Sequence, residues 1–176
     1  MLGQNVLMTA ALLVNSSVTV EALPAVAAVN WIGVSAPSPD VVWVSGSDAT
    51  IGRSLDGGQT WTISKPSTAA LEFRDIEALD SNQAYALSIG ENGNSRVYYT
   101  SDGGESWLLR YRASVEQFLN CIAIATSGEA WITGDTISGR WDMVRSIDGR
   151  NWLTARNAIS DAPQAGEGGL AASGGC

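Results

Sequence analysis

The chain has 176 residues, with 10 Lys+Arg against 18 Asp+Glu for a net charge of −8, on a length that allows one domain of ~150 residues or a piece of a larger one. That balance disfavours tracking a phosphate backbone, and the absence of histidine removes Ser-His-Asp catalysis, Cys-His catalysis and His-ligated zinc together. Nineteen Gly, seven Trp and a single lysine, Lys65, favour a turn-rich, aromatic-packed all-β chain over a helical bundle.

Residues 1–27 carry one charge, Glu21, and an apolar stretch over residues 6–14, followed by Leu23-Pro24-Ala25 and the small residues Ala25-Val26-Ala27. This layout reads as a secretory signal peptide cleaved near Ala28, with export to a periplasmic or extracellular space. No Lys or Arg precedes the apolar stretch, so a first β-strand or a tail is the other reading. The stretch falls short of the ~20 residues that span a bilayer.

From Trp31 onward, alternating apolar residues predict short strands in groups of four. The first group covers about residues 30–64, with a strand at 31–35 and another centred on Val42-Trp43-Val44. The second covers 73–112, with strands at 73–79, 84–89, 96–100 and 106–111. The third covers 119–156, opening on the apolar run 119–125 and continuing through Ala130-Trp131-Ile132. Residues 165–176 read as the opening of a fourth.

Between the third and fourth strands of each group a short box recurs. Its copies are Ser54-Leu55-Asp56-Gly57-Gly58-Gln59-Thr60-Trp61, Thr100-Ser101-Asp102-Gly103-Gly104-Glu105-Ser106-Trp107 and Ser146-Ile147-Asp148-Gly149-Arg150-Asn151-Trp152. Asp56, Asp102 and Asp148 are each 46 residues apart, the length of one four-stranded propeller blade. The expected fold is therefore an all-β propeller of four-stranded antiparallel blades, about three blades plus the start of a fourth. Within a box the carboxylate is placed to accept backbone N–H groups, the glycines supply positive φ, and the Trp is placed to fill space between blades. Ser54, Asp56, Gly58, Trp61, Thr100, Asp102, Gly104, Trp107, Ser146, Asp148 and Trp152 are assigned to this structural role, not to catalysis or Ca²⁺ binding. The third box has Arg150 for the second Gly and one residue fewer before Trp152, which predicts a distorted turn.

The box is identified as the Asp-box, or bacterial neuraminidase repeat, Ser/Thr-x-Asp-x-Gly-x-x-Trp. Together with Glu72-Phe73-Arg74-Asp75-Ile76, Tyr85-Ala86-Leu87-Ser88-Ile89-Gly90, Gly134-Asp135, Gly139-Arg140 and the glycine-rich stretch 165–174, residues 30–176 resemble exported Asp-box propellers similar to the photosystem II stability/assembly factor. The resemblance implies a larger closed propeller that acts, in photosynthetic cases, as an assembly chaperone. Closed propellers usually need four to eight blades, so this chain is expected to be the N-terminal part of one. Its two open sheet edges would invite self-association.

The function expected is a non-catalytic, protein-binding or assembly-factor module. Arg74, Asp75, Asp135, Arg140 and Glu167 are the candidate partner-binding residues, because each interrupts an otherwise apolar strand or strand end. The competing reading of each is a solvated strand end or an ion pair within its blade. Arg74 stands foremost, beside Phe73 at the start of an inner strand that could face the axial channel. The alternative is a sialidase-like glycoside hydrolase fragment, which needs converging arginines, a Tyr nucleophile with a Glu, and an Asp acid/base. Here Phe73-Arg74 is followed by Asp75-Ile76 and not by Ile-Pro. No Gly-x-Gly-x-x-Gly loop, Cys-x-x-Cys pair or metal cluster supports redox chemistry, and no catalytic, metal or cofactor residue is assigned. Cys121, in an apolar run, reads as a buried thiol; with Cys176 it could form one disulfide in an oxidising compartment.

Overall fold

The computed structural model describes residues 29–169. Twelve strands follow one another: β1 Trp31–Ser35, β2 Val42–Gly46, β3 Ile51–Ser54, β4 Thr62–Ser64, β5 Glu72–Ala78, β6 Ala84–Ile89, β7 Arg96–Thr100, β8 Leu108–Arg112, β9 Leu119–Ile124, β10 Ala130–Ile137, β11 Arg140–Ser146 and β12 Trp152–Thr154. They form three four-stranded sheets, β1–β4, β5–β8 and β9–β12, each an antiparallel meander in sequence order. No helix occurs among the described residues, and none is long and apolar enough to cross a membrane. These sheets are three blades of a β-propeller.

Alternation along the strands dictates how the blades stack. In β6, buried along its whole length, Ala84 and Ala86 join a core with Trp43, Ile51, Phe73 and Ile76 between the first two blades. The intervening Tyr85 and Leu87 join Val97, Leu119, Ile122, Ile132 and Val144 between the second and third. A strand apolar on both faces is what a middle blade requires. The inner strands adjoin, β1 against β5 and β5 against β9. Gly33 permits the first approach: a Cβ there would stand 2.4 Å from Ser45 Oγ and 3.2 Å from Asp75 Cα.

Because each blade is an up-and-down meander, the turns β1–β2 and β3–β4 lie at one end, with their equivalents. The β2–β3 loops and the connections from one blade to the next lie at the other. The boxes therefore occupy the end opposite the interblade connections.

The structure departs from the sequence reading at several points. The fourth strand of the second blade begins at Leu108, not at residue 106, because the Ser106 N–H is committed to Asp102. Blades meet face to face, so among the described residues the first and third each have one sheet face without a neighbouring blade. The sheet edges are the inner strands β1, β5 and β9 and the rim strands β4, β8 and β12, two in each blade. Of the segment read as a fourth blade, residues 165–169 carry no strand, and 170–176 lie outside the described residues, as does the whole signal-peptide reading. Cys121 is not a free thiol; Cys176 also lies outside the described residues.

Candidate protein-binding face

Each box is a closed hydrogen-bonded turn. The Ser54 hydroxyl donates to Asp56 Oδ1 at 2.8 Å and accepts the Gly58 N–H at 2.8 Å. The Asp56 carboxylate accepts the Thr60 N–H at 2.8 Å and the Thr60 hydroxyl at 2.6 Å. The second box repeats this with Thr100, Asp102, Gly104 and Ser106, at 2.8 Å, 2.9 Å, 2.9 Å and 2.5 Å for the corresponding bonds. Donors from Thr60 hold Asp56, and donors from Ser106 hold Asp102, at a pKa of about 2. The shortened third turn departs from the other two: the Arg150 N–H goes to Asp148 where the Gly58 and Gly104 N–H groups go to the Ser54 and Thr100 hydroxyls, and the Ser146 hydroxyl stands 3.2 Å from Asp148 Oδ1 against 2.8 Å in the other boxes. Asp148 accepts the Arg150 and Asn151 N–H groups at 2.9 Å and 2.8 Å, and the Asn151 amide at 2.7 Å replaces the missing hydroxyl. Those bonds hold its carboxyl far below the usual range. All three carboxylates are occupied by donors of their own turns.

The box tryptophans tie blades together. Trp107 meets Trp43 edge-on at 6.2 Å and donates from Nε1 to Ser64 Oγ at 3.1 Å, both in the preceding blade. Trp152 packs on Tyr85 and Tyr111 of the second blade at 6.3 Å and 6.4 Å. The indoles of Trp61 and Trp152 instead donate to the carbonyls of Gly58 and Gly149 in their own turns.

The five candidate residues do not form one site. Arg74 pairs with Glu72 at 3.0 Å along β5. Asp75 is not a surface residue: it is 3% exposed, and its carboxylate accepts the Ile122 N–H of β9 at 2.8 Å. Burial pushes that carboxyl above its usual range, against the bonds from Ile122 and Ile76. Asp75 thus joins the inner strands of two blades, and a partner has no access to it. Arg140 is exposed at the β10–β11 hairpin. Glu167 accepts the Gln164 N–H of its own turn at 2.6 Å. Gly168 and Gly169 follow it against Asp135, whose Oδ1 accepts the Asn120 amide at 3.1 Å. The fold thus brings only Asp135 and the segment after Glu167 together.

Asp135 also belongs to a groove at the end opposite the boxes, between the second and third blades. This cavity of about 280 Å³ is bordered by the carboxylates Glu91, Glu116 and Asp135 and by Val115 and Phe118. Its base is fixed by Gln117, which is 3% exposed. Gln117 Oε1 accepts the Tyr111 hydroxyl at 2.8 Å and the Ser114 N–H at 2.9 Å, and its amide donates to Asp142 Oδ2 at 2.8 Å. Asp142 is wholly buried, with Arg156 Nε 3.5 Å away. The loop carrying Val115 and Glu116 is thereby anchored to the third blade. Sequence reasoning missed Glu91, on the β6–β7 loop, and Glu116 and Gln117, on the β8–β9 connection, because the two segments are brought together only by packing and share no motif.

No family model matches the chain, and no curated protein matches it. Solved structures do. "YCF48 bound to D1 peptide" aligns with a TM-score of 0.55 at 22% identity, covering 72% of this chain and 40% of that one. "YCF48 from Cyanidioschyzon merolae" aligns with a TM-score of 0.52 at 21% identity, covering 71% and 43%. YCF48 is a photosystem II assembly factor with a β-propeller fold. The chain shares that propeller fold through its blades and spans about two fifths of the length of each of these proteins.

Proposed function

We propose that this chain belongs to an exported, non-catalytic β-propeller that binds a protein segment at the end opposite its boxes, as an assembly factor does. The observation that carries the reading is the groove. Three carboxylates, Glu91, Glu116 and Asp135, border a cavity that also offers the apolar side chains Val115 and Phe118. That chemistry suits an extended segment with a basic residue beside an apolar one, the charges steering encounter and the apolar contact slowing release. Two further observations support it. One structural neighbour is a YCF48 bound to a D1 peptide, and the box carboxylates are already engaged by their own turns. The export part of the reading rests on the leader-like residues 1–27.

Isothermal titration with peptides that pair Arg or Lys with Leu or Phe tests the binding part. Binding is expected to weaken with added salt and to fall about tenfold or more in Glu116→Lys and in Val115→Ser, which removes the apolar contact without changing the charge. Val115 is 71% exposed, so both variants should melt like the wild type. Peptide affinity equal to wild type in both variants would rule out this groove.

A further inference from the structure

The segments that border the groove are secured in different ways. The 90–95 loop, which carries Glu91, is held by Ser95, a wholly buried residue. Its N–H and hydroxyl donate to the Gly90 carbonyl at 3.1 Å and 3.0 Å. Its carbonyl accepts the Ala113 N–H at 3.0 Å, and its hydroxyl accepts the Leu119 N–H at 3.1 Å. Asp135 is held through its own N–H, which donates to the Phe118 carbonyl at 2.9 Å. Both borders therefore rest on backbone groups and one neutral hydroxyl.

The tip that carries Val115 and Glu116 depends on a side chain. Both residues are exposed, in a turn closed by the Gln117 N–H on the Ser114 carbonyl at 3.2 Å and by Gln117 Oε1, which accepts the Ser114 N–H. Asp142 of β11 aims that side chain. An amide can present either its oxygen or its NH2, but an ionised carboxylate only accepts. Asp142 Oδ2 therefore obliges Gln117 to turn its NH2 toward the third blade and its Oε1 toward Tyr111 and Ser114. A neutral group at Asp142 able to donate would allow the reverse, and the Ser114 N–H would then face another N–H.

Asp142 is wholly buried, and its other oxygen, Oδ1, accepts no hydrogen bond. A carboxylate holds its charge in such a place only against a cation. Among the described residues the cation paired with it is Arg156, whose Nε stands 3.5 Å from Oδ1. Arg156 lies two residues beyond β12 and does not border the groove. We infer that Arg156 is a positioning residue for the groove, acting through Asp142 and Gln117 to hold Val115 and Glu116 where a bound segment meets them. Its part in binding rests on the groove being the protein-binding site; the connection from Arg156 to the tip does not.

Amide hydrogen exchange on the full chain reads the connection without any ligand. Arg156→Gln should speed exchange over residues 114–117 about tenfold or more and leave the Ser95-anchored 90–95 loop unchanged, while Arg156→Lys, which restores a cation, should return the tip toward wild-type rates. Gln117→Leu should loosen the tip as well, and adding Arg156→Gln to it should change little more, because the effect passes through that amide. If Arg156→Gln does not fold, Asp142→Asn carries the same expectation, since it leaves no buried charge and no longer dictates which way Gln117 faces. Isothermal titration with a peptide pairing Lys with Leu should find affinity about fivefold lower in Arg156→Gln and recovered in Arg156→Lys. Tip exchange that stays at the wild-type rate, effects of Arg156→Gln and Gln117→Leu that simply add, or equal peptide affinity in wild type and Arg156→Gln would each overturn the inference. A tip that responds in a protein whose wild type binds no such peptide would instead overturn the groove as the binding site, and the part of Arg156 in binding with it.

Discussion

The Asp75 carboxylate reaches from β5 to the Ile122 N–H of β9 at 2.8 Å, so replacing it with Ala leaves a buried donor without an acceptor. That should cost about 2 kcal/mol in urea unfolding at neutral pH. Asp75→Asn keeps an acceptor oxygen and removes a buried charge, and it should cost less than half as much; equal losses would mean that the hydrogen bond is not what Asp75 contributes. The sequence shows Asp75 only as a polar break in an apolar strand. Its acceptor role depends on a backbone group 47 residues away, and no local pattern carries that. The box carboxylates were legible for the opposite reason, because their donors lie within four residues. Glu91, Glu116 and Asp135 share the difficulty of Asp75, since only the packing of two blades makes them neighbours.

At the level of elements, the period-2 alternation located the strands well. β6 and β7 occupy the residues expected, whereas β5 and β8 are displaced by one or two residues. The displacement of β8 follows from the box, whose aspartate withholds the Ser106 N–H from the ladder. The turns should behave as interchangeable units. Asp102→Ala should lower the melting temperature by about 3 °C or more, and Asp148→Ala by a similar amount, because Asn151 supplies the third box with the donor that its lost residue would have provided. Scanning fluorimetry that finds Asp148→Ala silent would show the shortened turn to be held by its neighbours and not by its carboxylate.

For the molecule as a whole, two groups of carboxylates respond to acid in opposite senses. Asp56 and Asp102 fall from an ordinary 3.8 to about 2 on folding, so their contribution is present above 3.8 and is lost as the pH falls through about 2. Asp75 and Glu77 are raised by burial from 3.8 and 4.5, so folding is favoured as they take up protons and stability declines as the pH rises through their folded-state values. The melting temperature should therefore climb as the pH is lowered from neutral toward the ordinary carboxylate range, then drop steeply below it. In Asp75→Asn the climb should shrink while the drop remains. A profile that falls steadily from neutral pH downward would show that the buried pair does not set the upper limb.

The first and second blades each carry on one face a finished floor for the turn of the blade that comes 46 residues later. The order of synthesis is therefore also an order of assembly. When Gly103 leaves the ribosome, Trp43 and Arg53 have already been made, and when Gly149 follows, Tyr85 has been too. Every closure joins neighbouring repeats, so the loop to be closed keeps about the same length however many blades precede it, and the entropy lost at each step does not grow with the chain. Such a chain can fold from its first blade onward without waiting for its last.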